Sequence, residues 1–482
     1  MCNSYLLLIF VRQKVIETIN IMSTLTIAII VVFVLGYALI AMESLTKVNK
    51  AAVALLMFVF CWTLYMFDPA PFVQLMHPDF TGTGDKVVSF VNTLITEHLG
   101  DTATTLFFLM GAMTIVEIVD QNGGFNWVKN VMQSKTKRSL LWKIAFMTFF
   151  LSAILDNLTT SIVMVMILRK LVQDKHDRMI YASLVIIAAN SGGAFSPIGD
   201  VTTIMLWNTG MITAGGVLSE IFIPSLVSML IPAFLLQMLL KGNIQYDDMS
   251  SDMSGDREVL EFNGCQRKIV FAIGVGGLCS VPLFHFFTDL PPFVGILLVL
   301  GILWTMTEVF YRNLHKKRGD EIQFSKRVSS LLSRIDMSTI LFFLGILMAV
   351  ACLEEVGVLK ELGSGLNTTF NGNHYAVTGI IGVLSAIVDN VPLVAGSMGM
   401  YPIGIEPDMA VDGIFWQLLA YCAGVGGSML IVGSAAGVVV MGLEKITFGW
   451  YMKRITWIAF LGYIAGILSY WIMRTYIFTT PL

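Results

Sequence analysis

The chain alternates apolar runs close to the ~20 residues that a bilayer-spanning helix needs with short polar connections. Residues 21–42 and 51–67 predict two spans joined by a loop that holds Lys47 and Lys50. A polar stretch over 68–101, rich in Pro, Asp and Gly, predicts a loop before a third span at 105–119. Two apolar runs follow, 140–155 and 159–168. Each is short for a span, and Asp156-Asn157 lies between them. The next crossing starts at 181–189 and is interrupted by Asn190-Ser191-Gly192-Gly193 and Ser196-Pro197-Ile198-Gly199. It resumes after Asp200, Thr202 and Thr203. Gly and Pro there break the helical hydrogen-bond ladder and free carbonyls at mid-membrane depth. A return span is predicted at 217–240.

The second half repeats the pattern. Spans are predicted at 269–287, 293–311 and 339–353. A second short pair, 377–388 and 392–401, surrounds Asp389-Asn390. A second interrupted helix follows over 413–443, broken by glycine clusters at 424–427 and 433–437, and 455–473 is the last span. Leu151-Ser152-Ala153-Ile154-Leu155-Asp156-Asn157 and Leu384-Ser385-Ala386-Ile387-Val388-Asp389-Asn390 are near copies, and Gly192-Gly193 answers Gly426-Gly427. This gives one repeat over 22–240 (hairpin tip 156–157, broken helix 181–213) and a second over 267–474 (tip 389–390, broken helix 413–443). A polar linker at 241–266 separates them, with an extension at 1–21 and a tail at 475–482.

Charge sets the orientation. The stretch 68–101 holds Lys86 as its only Lys or Arg, whereas 121–143 holds Lys129, Lys135, Lys137, Arg138 and Lys143. The positive-inside rule makes the first external and the second cytoplasmic. The far flank of the first short pair carries Arg169, Lys170, Lys175 and Arg178, so both its ends are cytoplasmic. A single crossing cannot do that, and a re-entrant helical hairpin with its tip inside protein can. Glu361, Glu406, Asp408 and Asp412 flank the second pair, which therefore enters from outside. Equivalent elements on opposite sides describe an inverted-topology repeat, with a substrate site expected near the midplane. The expected fold class is an all-α polytopic membrane protein built from two such repeats.

Bulk composition agrees. The 482 residues are 56% hydrophobic and 13% charged, with a mean hydropathy of +0.77, which excludes a soluble enzyme. The net charge of −3, with no basic run among aromatics, gives no footing to nucleic-acid binding. The six cysteines are dispersed, without disulfide or zinc spacing, and no metalloprotease motif or nucleophile–base pair is present. No catalytic residue and no cofactor is expected; the chain is not an enzyme.

The chemistry lies in the acids at depth. A charged aspartate in a membrane segment costs roughly 3 kcal/mol on insertion scales, so it marks a functional site by default. At a hairpin tip the carbonyl end of the first half-helix, an aspartate and an asparagine oxygen offer a negative, oxygen-rich surface. The breaks add carbonyls and the hydroxyls of Thr202, Thr203, Ser428 and Ser434. Hard cations such as sodium take such a shell, and crowded, poorly solvated carboxylates also bind protons. Plainer readings stand beside this one. Asp156 and Asp389 can be helix caps, Asp200 can pair with a cytoplasmic cation, and the serines can be packing residues. Glu97 and His98 can sense pH or merely be solvated, and Glu117 is a relay or an edge residue.

At these residues the chain resembles the NhaD-type sodium/proton antiporters of the ion transporter superfamily. The resemblance is carried by Phe107-Phe108-Leu109-Met110-Gly111-Ala112-Met113-Thr114-Ile115-Val116-Glu117, Asp156-Asn157, Asn190-Ser191-Gly192-Gly193 through Asp200-Val201-Thr202-Thr203, and Asp389-Asn390, and it covers 22–474. It implies sodium and lithium export against proton entry by alternating access, in service of pH homeostasis, across a bacterial inner membrane. It also implies that Asp156, Asn157, Asn190, Asp200, Thr202, Thr203, Ser385, Asp389, Asn390, Ser428 and Ser434 lie at or beside the ion path, with sodium at Asp156, Asp200 and Asp389. Surrounding lipid and a homodimer with an elevator-like moving domain are expectations of the same kind. Sodium-coupled dicarboxylate uptake and arsenite-type export share the frame. Carboxylate carriers of the superfamily, however, bear Ser-Asn-Thr where this chain has Asp, which would repel an anion.

Overall fold

Asparagine, threonine and aspartate stand at the N-cap of nine of the nineteen described helices into which the apolar runs fold. A computed structural model describes residues 24–41, 46, 48–124, 131–132, 134–244, 262–318, 335, 337–387, 390–404, 406–431 and 433–476. In order the helices are α1 (Thr24–Ala41), α2 (Lys50–Phe67), α3 (Ala70–Met76), α4 (Asp85–Gln121), α5 (Lys137–Leu155), α6 (Asn157–Leu171), α7 (Lys175–Ala194), α8 (Val201–Asn208), α9 (Ala214–Leu236) and α10 (Gly264–Thr288). They continue with α11 (Pro292–Arg318), α12 (Met337–Glu355), α13 (Val358–Thr369), α14 (His374–Ser385), α15 (Asn390–Met400), α16 (Ile414–Gly426), α17 (Ala435–Glu444), α18 (Phe448–Arg454) and α19 (Thr456–Tyr476). Asn49, Thr136 and Asp174 each accept a backbone N–H in the first turn of the helix they precede. Eight helices among the described residues are long and apolar enough to cross a membrane.

One expectation needs correction. The stretch 68–101 is not a loop: it holds α3 and the first turns of α4, a helix of 37 residues. Proline is confined to its first part, and glycine recurs after Gly84 only at Gly100, inside α4. Beyond Gly84, Val87, Val91 and Leu94 recur at helical spacing and are buried, so a narrow apolar stripe carries the helix through a polar stretch. The short helices α13 and α18 are likewise absent from the pattern of apolar runs. The extension 1–21, most of the linker and the tail from 477 lie outside the described residues.

The described helices gather into two units. The first takes residues 1–103, 337–366 and 395–401, and within it α2 packs along α12. Trp62 Nε1 donates to the Met348 carbonyl at 2.8 Å, and Gly345 lies against the backbone of Ala54 and Leu55. The second unit holds the first hairpin, α14 with residues 390–394 of the second hairpin, and both broken helices. There α7 packs on α5 and α6, α16 packs on α14, and α9 lies along α19. Pro224 and Pro232 sit inside α9 without ending it. Glu444, at the end of α17, is buried and accepts from Arg169 Nε (2.8 Å) and Arg178 Nε (2.6 Å), which ties the ends of α6 and α17 to the start of α7.

Candidate functional site

Each broken helix rests on the first helix of its hairpin with almost no space between the backbones. A Cβ at Gly192 would collide with the Phe149 carbonyl of α5, and one at Gly426 with the Gly382 carbonyl of α14. Gly199 and Gly433 approach the carbonyls of Ser152 and Ala386 in the same manner. Hydroxyls fasten the contact. Ser152 Oγ donates to the Ala189 carbonyl at 2.6 Å, and Ser385 Oγ donates to the Ala423 carbonyl at 2.8 Å. Glycine at the crossing and serine beside it bring hairpin tips and helix breaks together.

Asp200 is the centre of what they enclose. It caps α8, with Oδ1 accepting from the N–H and the hydroxyl of Thr202, both at 3.0 Å. Thr203 Oγ1 donates to the Asp200 carbonyl at 2.9 Å. Asn157, from the first hairpin, donates Nδ2 to the other carboxylate oxygen at 2.6 Å. Asn390, from the second, donates Nδ2 to both oxygens at 3.2 and 3.3 Å. Asp200 is only 1% exposed. Asn157 Nδ2 also reaches Asn190 Oδ1 (3.1 Å), and Asn190 Nδ2 donates to Ser428 Oγ and Ser434 Oγ at 3.0 Å each. Seven side chains from two hairpins and two breaks thus form one buried polar network around a carboxylate. Such a cluster can exchange its hydrogen-bond donors for a bare cation, or take a proton.

Comparison with known proteins gives the family. A sequence model of the family described as citrate transporter matches residues 37–417. Sodium/proton antiporter 1 of Arabidopsis thaliana is 41% identical over 455 residues, which is 94% of this chain and 74% of that protein. The Na(+)/H(+) antiporter NhaD of Vibrio cholerae is 29% identical over 480 residues, covering 95% and 94% of the two chains. The chain belongs to the NhaD-type sodium/proton antiporters. Its fold is similar to that of the YdaH transporter of Alcanivorax borkumensis, with a TM-score of 0.58 at 11% identity, covering 88% of this chain and 98% of that one. Family and relatives are transporters, and this NhaD-type antiporter is a multi-pass membrane protein.

The remaining expected residues are less central to the antiporter's network. Asp156 is half-buried and caps α6: Oδ1 accepts from the Thr159 N–H (2.7 Å) and Oδ2 from the Thr159 hydroxyl (2.9 Å). Its backbone, at φ 77° and ψ 159°, lies in a region nearly confined to glycine, at a cost of order 1–3 kcal/mol. Asp389 lies outside the described residues. Ser385 holds hairpin to break through its hydroxyl bond to the Ala423 carbonyl. No three His, Cys, Asp or Glu side chains gather as a metal cluster among the described residues, so the network's oxygens come largely from amides and hydroxyls. Glu97 is exposed. Glu117 accepts from Gln121 Nε2 at 3.1 Å. His98 contacts Glu355 Oε1 at 2.9 Å, and His77 contacts Glu355 Oε2 at 2.8 Å. Sequence reasoning missed His77, Glu355 and Ser152. Only Ser152 carried a signal, since it stands in the first copy of the repeated motif where Ser385 stands in the second.

Proposed function

We propose that this chain exchanges sodium, and lithium with it, for protons by alternating access, and that Asp200 is the carboxylate on which the two cargoes compete. The buried Asp200, held by one carboxamide from each hairpin tip, carries this reading. A hard cation fits a carboxylate ringed by amide and hydroxyl oxygens, and a proton neutralises the same group. Acid pH therefore fills the seat with protons, and the apparent sodium affinity rises as pH rises. A citrate-like anion, which the family description brings to mind, would meet negative charge at the centre of the network.

Asp156 and Asp389 are assigned to the same path as the acids of the two tips. The equivalent contacts that Gly192 and Gly426, and Ser152 and Ser385, each make in their own half support a repeat over 22–240 and 267–474, and the charge bias of the flanks supports its inversion. A bacterial inner membrane is the proposed setting, consistent with the bacterial source of the Vibrio cholerae relative, and pH homeostasis, the proposed purpose, rests on the family resemblance. A homodimer rests on the family resemblance alone. His98, on Glu355 with His77, is the proposed pH-responsive group, since imidazole titrates in the physiological range.

The test uses everted vesicles with a respiration-generated pH gradient. Sodium or lithium dissipates the gradient in wild type, and citrate does not replace them. Asp200→Asn abolishes the response while the protein still inserts. Full sodium response in Asp200→Asn, or citrate uptake that this change leaves intact, overturns the reading.

A further inference from the structure

The first turn of α6 carries three consecutive hydroxyls, and two of them are satisfied locally. Thr159 Oγ1 donates to Asp156 Oδ2 at 2.9 Å, and Ser161 Oγ donates to the Asn157 carbonyl at 2.7 Å. Thr160 Oγ1 has no hydrogen-bond partner among the described residues, although the residue is 1% exposed. A helical threonine ordinarily back-bonds to the carbonyl one turn earlier, and Thr160 does not. Burying an unsatisfied hydroxyl is unfavourable, and such atoms in native proteins commonly mark a place for an ion or a functional group.

Its direction follows from the helix. Asn157, Thr160, Ser161, Met164, Val165 and Leu168 are buried. Their spacing of three and four defines the buried face of α6, a helix that packs on α5, α7 and α17. Asn157 on that stripe reaches Asp200 and Asn190. Thr160 stands on it one turn further along. The equivalent position of the second hairpin, three residues beyond Asn390, is Leu393, so no hydroxyl answers it there.

We infer that Thr160 lends its hydroxyl oxygen to the dehydrated alkali cation at Asp200 and sets the affinity for that cation from the first-hairpin side. The cation contributes the charge, Asp200 neutralises it, and Thr160 replaces one water of its hydration shell. The inference rests on the sodium/proton reading above and adds a ligand to it.

Exchange is measured in vesicles as a function of sodium, lithium and pH. Thr160→Val keeps the shape and removes the oxygen. It raises the half-saturating sodium concentration about tenfold, the scale of one lost contact to a charge, at an unchanged maximal rate. Protons then compete more successfully, so the acid limb of the activity profile moves to higher pH. Thr160→Ser behaves as wild type. Should Thr160→Val fail to insert, Thr160→Ala and Thr160→Cys provide the same readout. Wild-type half-saturation in the variants lacking the hydroxyl overturns the inference. So does a lowered maximal rate at unchanged half-saturation, which is the signature of a packing role. Sodium-insensitive wild-type vesicles defeat the exchange reading itself. Sodium exchange that Asp200→Asn abolishes and Thr160→Val leaves untouched defeats this inference alone.

Discussion

Asp156 holds a conformation that its side chain should resist. The positive φ costs of order 1–3 kcal/mol, and glycine would adopt it freely while losing only a few tenths of a kcal/mol as an N-cap. Asp156→Gly is therefore expected to stabilise the protein by about 1 kcal/mol, read as a raised melting temperature in detergent, and to lose exchange. A destabilised but active Asp156→Gly would make the aspartate a structural cap only. The residues of this kind were legible in sequence because a repeated acid–amide pair inside apolar runs has few uses. Thr160 was not legible, since neither the repeat nor any charge singles it out. His77, His98 and Glu355 were not legible as a group either: their contact joins positions more than 250 apart, and no local pattern encodes it.

At the scale of elements, the crossings of broken helix and hairpin depend on two glycines that touch backbone, not flexible side chains. A methyl at either position overpacks the contact, at about 1–3 kcal/mol or more. Gly192→Ala and Gly426→Ala are expected to lower the melting temperature and the rate of exchange together. Gly442→Ala, which meets open space in α17, is expected to be neutral or stabilising. Equal stability of all three variants would remove the close-packing account. The hairpins and breaks were readable because Gly, Pro and an acid cut apolar runs that are otherwise long enough to span. The start of α4 was not, because a three-residue apolar stripe is faint beside the Asp, Gly and Pro around it.

For the molecule as a whole, charge bias and motif spacing together propose halves of opposite orientation. Lys135 and Glu406 are exposed and flank the first and second hairpins. With the exposed native cysteines at 265 and 279 replaced by serine, Lys135→Cys and Glu406→Cys are expected to react with an impermeant thiol reagent from opposite faces of intact cells. Reaction from one face would end the inverted-repeat reading. The unit that contains the site has a further property, set by the valence of its central group. A carboxylate offers about four lone-pair positions, and Asp200 already accepts from two amides, a backbone N–H and a hydroxyl. Its coordination is saturated before any cargo arrives. On the proposed exchange at Asp200, an arriving ion must therefore evict a resident, and the hairpin that yields its amide first would become the doorway on that half of the cycle.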